Sequence, residues 1–143
     1  MDGVVLVEEA PATLDPEGLL QRLDTKGCGA IVSFVGLTRE TEGDAQVLRL
    51  EFDAWQDKLQ PVLQRLAQQA IREHGVWAVA MAHRTGSVGP QEPIVAIHVA
   101  SPHRKEASVW IRQSAQACPD EGERRTHGKA GRAMVETRSK DHE

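Results

Sequence analysis

The sequence predicts an α+β fold built around a largely antiparallel sheet. Two observations carry this. Strand-like and helix-like runs follow one another in the order β-α-β-β-α-β-β-α, without the strict alternation of a doubly wound sheet. Neither G-x-G-x-x-G nor G-x-x-x-x-G-K-[ST] occurs, so dinucleotide and P-loop folds have no motif here. The length of 143 residues fits one domain, large enough for a core without disulfides.

Val4 to Val7 reads as a short apolar strand. Asp15-Pro16-Glu17 opens a helix: an acid as cap, proline at the first helical position, a carboxylate in the first turn. Leu19, Leu20 and Leu23 share its apolar face, and Gly27 closes the segment. Ala30 to Val35 is a buried-type strand rich in β-branched residues, ended by Gly36. Thr38 to Asp44 then reads as a polar loop. Val47 to Phe52 alternates, with Leu48, Leu50 and Phe52 to one side.

From Asp57 to His74 the period turns helical. Leu59, Val62, Leu63, Leu66, Ala70 and Ile71 form one stripe, Pro61 belongs in the first turn, and Gly75 follows the last turn. Val76 to Ala82 and Ile94 to Ala100 are two further strands, separated by His83-Arg84-Thr85-Gly86 and the turn pair Gly89-Pro90. Ser101-Pro102 sets up a last helix, with Ser as cap, that runs through Trp110 and Ile111 to about Ala117. Beyond Cys118 the periodicity ends. The expected organisation is one α+β domain over 1–118 and a C-terminal segment of that domain, 119–143, reading as loop or tail.

Composition excludes several functions. Aromatic residues make up 3 %, too few for a base-stacking nucleic-acid platform. The net charge of −4 gives no bulk attraction to nucleic acid. No apolar run approaches the roughly 18–20 residues that span a bilayer. The start, MDGVVLVEEAP, lacks a basic region and a long apolar stretch, so no signal peptide is expected and the cytoplasm is the expected compartment. Cys28 and Cys118 are isolated and read as free, buried thiols. The six histidines show no zinc spacing, so neither a metal nor a cofactor is expected. Charge is uneven: residues 1–103 hold 8 Lys+Arg against 14 Asp+Glu, residues 104–143 hold 9 against 7. A basic C-terminal quarter suits an anionic ligand or an acidic partner, or simply a solvated tail.

Three constellations could carry chemistry. S-P-H-R, Ser101 to Arg104, puts cationic side chains at a helix start, where the macrodipole disfavours them. Such a cost is tolerated where an anion binds, because helix N–H groups and an arginine fork converge on it. A basic first turn in solvent is the plain alternative. F-V-G-L-T-R, Phe34 to Arg39, delivers Arg39 just after a strand. H-R-T-G, His83 to Gly86, reads as structural, its polar side chains satisfying turn backbone groups.

Four segments, G-A-I-V-S-F-V-G-L-T-R (Gly29 to Arg39), L-R-L-E-F (Leu48 to Phe52), A-H-R-T-G-S-V (Ala82 to Val88) and S-P-H-R-K-E-A (Ser101 to Ala107), stand in this order. Together they resemble the MoaE family, the large catalytic subunit of molybdopterin synthase. The resemblance spans about Gly29 to Ile111. It implies an α/β hammerhead fold with an additional antiparallel sheet. It implies a homodimer, and a heterotetramer with a small ubiquitin-like sulfur-carrier subunit whose C-terminal Gly-Gly tail enters the large subunit's pocket. The implied reaction is a sulfurtransferase step, from the carrier's thiocarboxylate to cyclic pyranopterin monophosphate (precursor Z), giving molybdopterin. Leu37, Thr38, Arg39, His103 and Arg104 occupy the implied substrate-binding positions. Neither nucleic acid nor membrane is an implied partner.

The chain departs from the family where two catalytic lysines belong, in an L-K and a P-x-W-K segment. Here the stretch reads C-P-D-E-G-E-R-R-T-H-G-K, and Lys129 is its only lysine and the candidate catalytic residue. Ala133 to Glu136 resembles the family's closing W-V-E, with Met134 in the tryptophan position. A member that only docks the small subunit or dimerises is the alternative expectation.

Overall fold

The computed structural model describes residues 3–42, 45–52, 59–117 and 133–139. Two sheets organise the chain. The first has four strands: β1 (Val4–Ala10), β5 (Ala78–Arg84), β7 (Pro93–Ser101) and β2 (Ala30–Leu37), in that spatial order. β1 lies parallel to β5, and the other two pairs are antiparallel. The second sheet is centred on β4 (Ala45–Phe52). It pairs with β3 (Thr41–Glu42), β6 (Gly86–Val88) and β8 (Ala133–Ser139), each antiparallel.

Three helices cover the first sheet: α1 (Pro16–Gln21), α2 (Leu59–His74) and α3 (Arg104–Ala117). The start of α1 follows local rules, since the Asp15 carboxylate accepts the Gly18 N–H at 3.1 Å and Pro16 takes the first turn. In α2, Leu59, Leu63, Leu66, Ala67 and Ala70 form a buried stripe, and Gly75 (φ 68°) supplies the left-handed exit.

Strand alternation divides the core. Val79 and Met81 of β5, with Val95, Ile97 and Val99 of β7, face α2 and α3 together with Trp110 and Ile111. The intervening Ala78, Ala80, Ala82, Ala96 and Ala100 face Leu14, Leu19 and Leu23 around α1. Both faces of β5 and β7 are therefore covered within one chain, and every residue of β5 is buried. Burial on both faces accounts for their apolar character, as in any internal strand.

The exposed apolar strand is β2, which the sequence reads as buried. It lies at the sheet edge, with Ile31 50 %, Phe34 37 %, Val35 40 % and Leu37 48 % exposed. Gly36 does not end it: the strand continues to Leu37 through a register shift between Gly36 and Leu37. His83 and Arg84 lie within β5 rather than after it. Of the segment read as loop or tail, Ala133–Ser139 forms β8 along β4. Its partner strand, distant in sequence, supplies the ladder that no local period announces. Residues 118–132 lie outside the described residues, Cys118 among them. Cys28 is partly buried and free, and burial together with the Asp24 carboxylate pushes its thiol pKa up.

One buried histidine ties the layers together. His98, on the alanine face of β7, is 3 % exposed. Its Nε2 donates to the Pro16 carbonyl at 2.8 Å, so its Nδ1 accepts from the Ser33 hydroxyl at 2.6 Å in the neutral ring. Burial lowers its pKa below the ordinary 6.5, although the Pro16 bond pulls the other way. The unfolded chain therefore binds the proton first. The associated stability is present above about pH 6.5 and falls as the pH drops through that value toward the lowered native pKa. Urea unfolding followed from pH 7.5 to 5.5 should show this loss, and His98→Gln should flatten it. Parallel profiles for the two proteins would assign the acid sensitivity to other groups.

Candidate functional site

The candidate residues lie at the two ends of the β2–β7 ladder. At one end, Ala30 pairs with Ser101, and the Gly29 N–H donates to the Ser101 carbonyl at 3.1 Å. Gly29 is required there, because a Cβ would stand 2.8 Å from the Pro102 carbonyl oxygen. The chain then turns into α3. Ser101 is the last residue of β7 and 1 % exposed. Its hydroxyl accepts the His103 N–H at 3.3 Å, and the helix begins at Arg104, later than the Ser cap and Pro first turn expected from sequence. Pro102 and His103 thus form the turn before the helix. His103, Arg104 and Lys105 are all exposed, and Glu106 is the acid of the first helical turn.

At the other end, Leu37 pairs with Pro93. Thr38, expected in a polar loop, is fully buried. Its N–H donates to the Glu92 carbonyl at 2.9 Å, and its own carbonyl accepts the Gln91 N–H at 2.8 Å. Arg39 follows immediately and is exposed. Seven residue steps separate Ala30 from Leu37, about 23 Å at a strand's rise of ~3.3 Å. Arg39 and the His103–Arg104 pair therefore do not meet within one chain; the separation exceeds the reach of two extended side chains. Lys129 lies outside the described residues.

The H-R-T-G segment has the structural role its sequence suggests. Arg84 is 3 % exposed. Its Nε donates to the Ala10 carbonyl at 2.9 Å and its Nη2 to the Ser87 carbonyl at 2.8 Å. Its Nη1 stands 3.8 Å from the Glu92 carboxylate. His83 Nδ1 donates to the Arg84 carbonyl at 2.7 Å. Gly86 (φ 83°) turns the chain from β5 into β6.

Surface pockets among the described residues include two near these elements. One, of about 250 Å³, runs between β1 and α1, lined by Glu8, Thr13, Asp15 and Arg22 among others. The other, of about 310 Å³, is lined by Thr25, Cys28, Gly29, Ala30 and Ile31, beside the turn that carries His103. Among the described residues, no group of His, Cys, Asp and Glu is arranged to hold a metal, and no helix is long and apolar enough to cross a membrane.

The sequence reading missed Gln91 and Glu92, which hold Thr38. The Gly89-Pro90 pair announced a turn, but not that the turn would clamp a loop distant in sequence.

These features define an α+β protein with exposed cationic groups at both ends of an edge ladder. The chain belongs to the MoaE protein family, whose model matches residues 9–116. A molybdopterin synthase catalytic subunit of Coccidioides immitis is 33 % identical over 103 residues, 72 % of this chain. This chain spans 53 % of that longer relative. The fold matches a MoaE protein of Burkholderia ambifaria with a TM-score of 0.68 at 19 % identity, over 94 % of this chain and 90 % of the other. It also matches a chain in a complex of subunits 1 and 2 of the Helicobacter pylori molybdopterin-converting factor. That match has a TM-score of 0.63 at 24 % identity, over 77 % of this chain and 75 % of the other.

Proposed function

We propose that this chain is the catalytic subunit of a molybdopterin synthase. It acts as a homodimer on precursor Z, with sulfur supplied by the thiocarboxylated Gly-Gly tail of a small carrier subunit. Family membership and the name of the Coccidioides relative support the reaction class. The observation that carries the site is the open outer edge of β2.

An exposed edge strand with apolar side chains is a template for pairing with another strand. Two copies of β2 can pair antiparallel about a two-fold axis at Phe34, an isologous contact. Ile31 then lies opposite the partner's Leu37 and Phe34 opposite its own counterpart, so three of the four exposed apolar residues of each strand find apolar partners, while Val35 faces the partner's Ser33. In the same register Arg39 comes beside the partner's Gly29, which is hydrogen-bonded to Ser101 at the turn before α3. One copy's Leu37–Arg39 thereby approaches the partner's His103 and the partner's Arg104. A site divided between the ends of one ladder is completed by its second copy.

In that site the cationic groups hold the substrate's phosphate, for which bidentate arginine geometry is suited. The carrier's thiocarboxylate sulfur forms a bond to a side-chain carbon of the pterin and displaces an oxygen substituent there; water then cleaves the resulting thioester, leaving the sulfur as a thiolate on the pterin and releasing the carrier with a C-terminal carboxylate. Lys129 is the residue assigned to this step. Its ammonium would stabilise developing negative charge, or its amine would accept a proton or the carrier's acyl group.

The direct test mixes the protein with thiocarboxylated carrier and precursor Z and looks for the dithiolene product. No product from the wild-type chain would leave a carrier-docking or dimerising scaffold. Arg104→Ala should weaken substrate binding by about 1.5–3 kcal/mol, the scale of a charge-assisted hydrogen bond. Its thermal midpoint should barely change, because Arg104 is exposed. Calorimetry with a thermal scan checks both; unfolding with unchanged affinity would make Arg104 structural.

A further inference from the structure

We infer that the Gly89–Glu92 turn, closed by the Glu92 carboxylate, fixes the point from which Arg39 reaches substrate, which makes Glu92 a positioning residue. The inference rests on the proposed role of Arg39 and adds a residue outside the anion-binding set.

The turn is strained and braced. The Glu92 N–H donates to the Gly89 carbonyl at 3.3 Å, with Pro90 second and Gln91 third. Gln91 has φ 66°, the only positive value outside glycine among the described residues. Proline then a positive φ is the pattern of a type II turn, whose third position favours glycine. A non-glycine residue there persists only where its surroundings over-determine it. Those surroundings are visible. Glu92 Oε2 accepts the Gly89 N–H at 2.6 Å, and Glu92 Oε1 faces the buried Arg84 guanidinium at 3.8 Å. Arg84 is itself anchored to the carbonyls of Ala10 and Ser87. A Cβ at Gly89 would stand 2.7 Å from Glu92 Oε2, so a side chain there would push the carboxylate aside.

What the turn holds is Thr38. The β2–β7 ladder loses register between Gly36 and Leu37, so the sheet alone does not fix the residues beyond it. The turn takes over at that point. Both backbone hydrogen-bonding groups of Thr38 go to Gln91 and Glu92, while its side chain is fully buried. Arg39 is the next residue and is exposed. Bracing thus runs from Arg84 through the Glu92 carboxylate and the turn backbone to Thr38, and ends at an exposed arginine. Binding groups must be held within a fraction of an ångström by such supports to be effective.

The test compares Glu92→Ala, Glu92→Gln and Gly89→Ala in the full chain. Amide exchange at Thr38, read without substrate, should quicken about tenfold in Glu92→Ala, because its backbone bond depends on the closed turn. The KM for precursor Z should rise about fivefold, with carrier affinity unchanged, because only the substrate-facing arginine is misplaced. Gly89→Ala should reproduce both effects by displacing the carboxylate. Glu92→Gln keeps an oxygen for the Gly89 N–H and should restore most of the wild-type KM. A Glu92→Ala enzyme with wild-type KM would overturn the inference, as would a Glu92→Gln enzyme no better than Glu92→Ala. Equal losses of carrier affinity and substrate affinity would also overturn it, since they indicate general destabilisation. If the wild-type chain has no turnover, the functional reading fails; unchanged exchange at Thr38 would by itself overturn the clamp.

Discussion

Assayed at substrate concentrations far below the variants' KM, chains carrying Arg39→Ala and chains carrying Arg104→Ala, each poorly active alone, should recover about a quarter of wild-type turnover when mixed and allowed to exchange subunits. The expectation follows from the register of β2. Half of the dimers in an equal mixture pair one variant with the other. Each such dimer has one site with both lesions and one with neither. If the site were built within one chain, every site would carry a lesion and mixing would restore nothing. The ladder geometry, with Ala30–Ser101 at one end and Leu37–Pro93 at the other, is what forbids the single-chain site. Turnover of the mixture, compared with each variant alone, decides between the two.

The second large effect concerns Lys129. Replacing it with alanine should lower turnover by about 10²–10⁴-fold, the usual contribution of a positioned proton-transfer group. Dimer formation and carrier binding should be unchanged, since neither depends on that amine in the proposed reaction. Steady-state rates, sedimentation and carrier titration check the three parts. Full turnover in the variant would mean that Lys129 does not stand in for a family lysine. Lys129 is the only lysine between Cys118 and Met134, so no neighbouring lysine in that stretch can substitute for it.

The parts of the fold legible in sequence are those whose causes are local. Asp15 caps a helix with a partner three residues away, and the α2 stripe depends only on helical spacing. Burial was harder to read. Ala30 to Val35 has the composition of an internal strand, yet it lies at an edge, because an apolar run does not say whether its cover comes from its own chain or another. β5 and β7 are equally apolar for a different reason, since both of their faces are covered within the monomer. β8 was invisible because its ladder is supplied by a strand distant in sequence. In the site, the residue types were readable and their arrangement was not. Arg39, His103 and Arg104 stand out as cations beside strand and helix ends, whereas their separation is set by strand register. Thr38 gave no signal of burial, since both of its backbone partners lie in a remote turn.

The alanine face of the first sheet has a consequence for the shape of the molecule. Five alanines there, Ala78, Ala80, Ala82, Ala96 and Ala100, leave methyl-deep relief around the single larger His98, so the six residues of α1 can seat low against β5 and β7. So short a helix roofs only the middle strands. Beside it, over β2, the same face continues as Ile31 and Val35 with no roof among the described residues. Seen in cross-section, the molecule has one finished storey, under α2 and α3, and one half-finished storey on the other side. The missing half begins where α1 stops, directly beside the strand edge through which a second copy would enter.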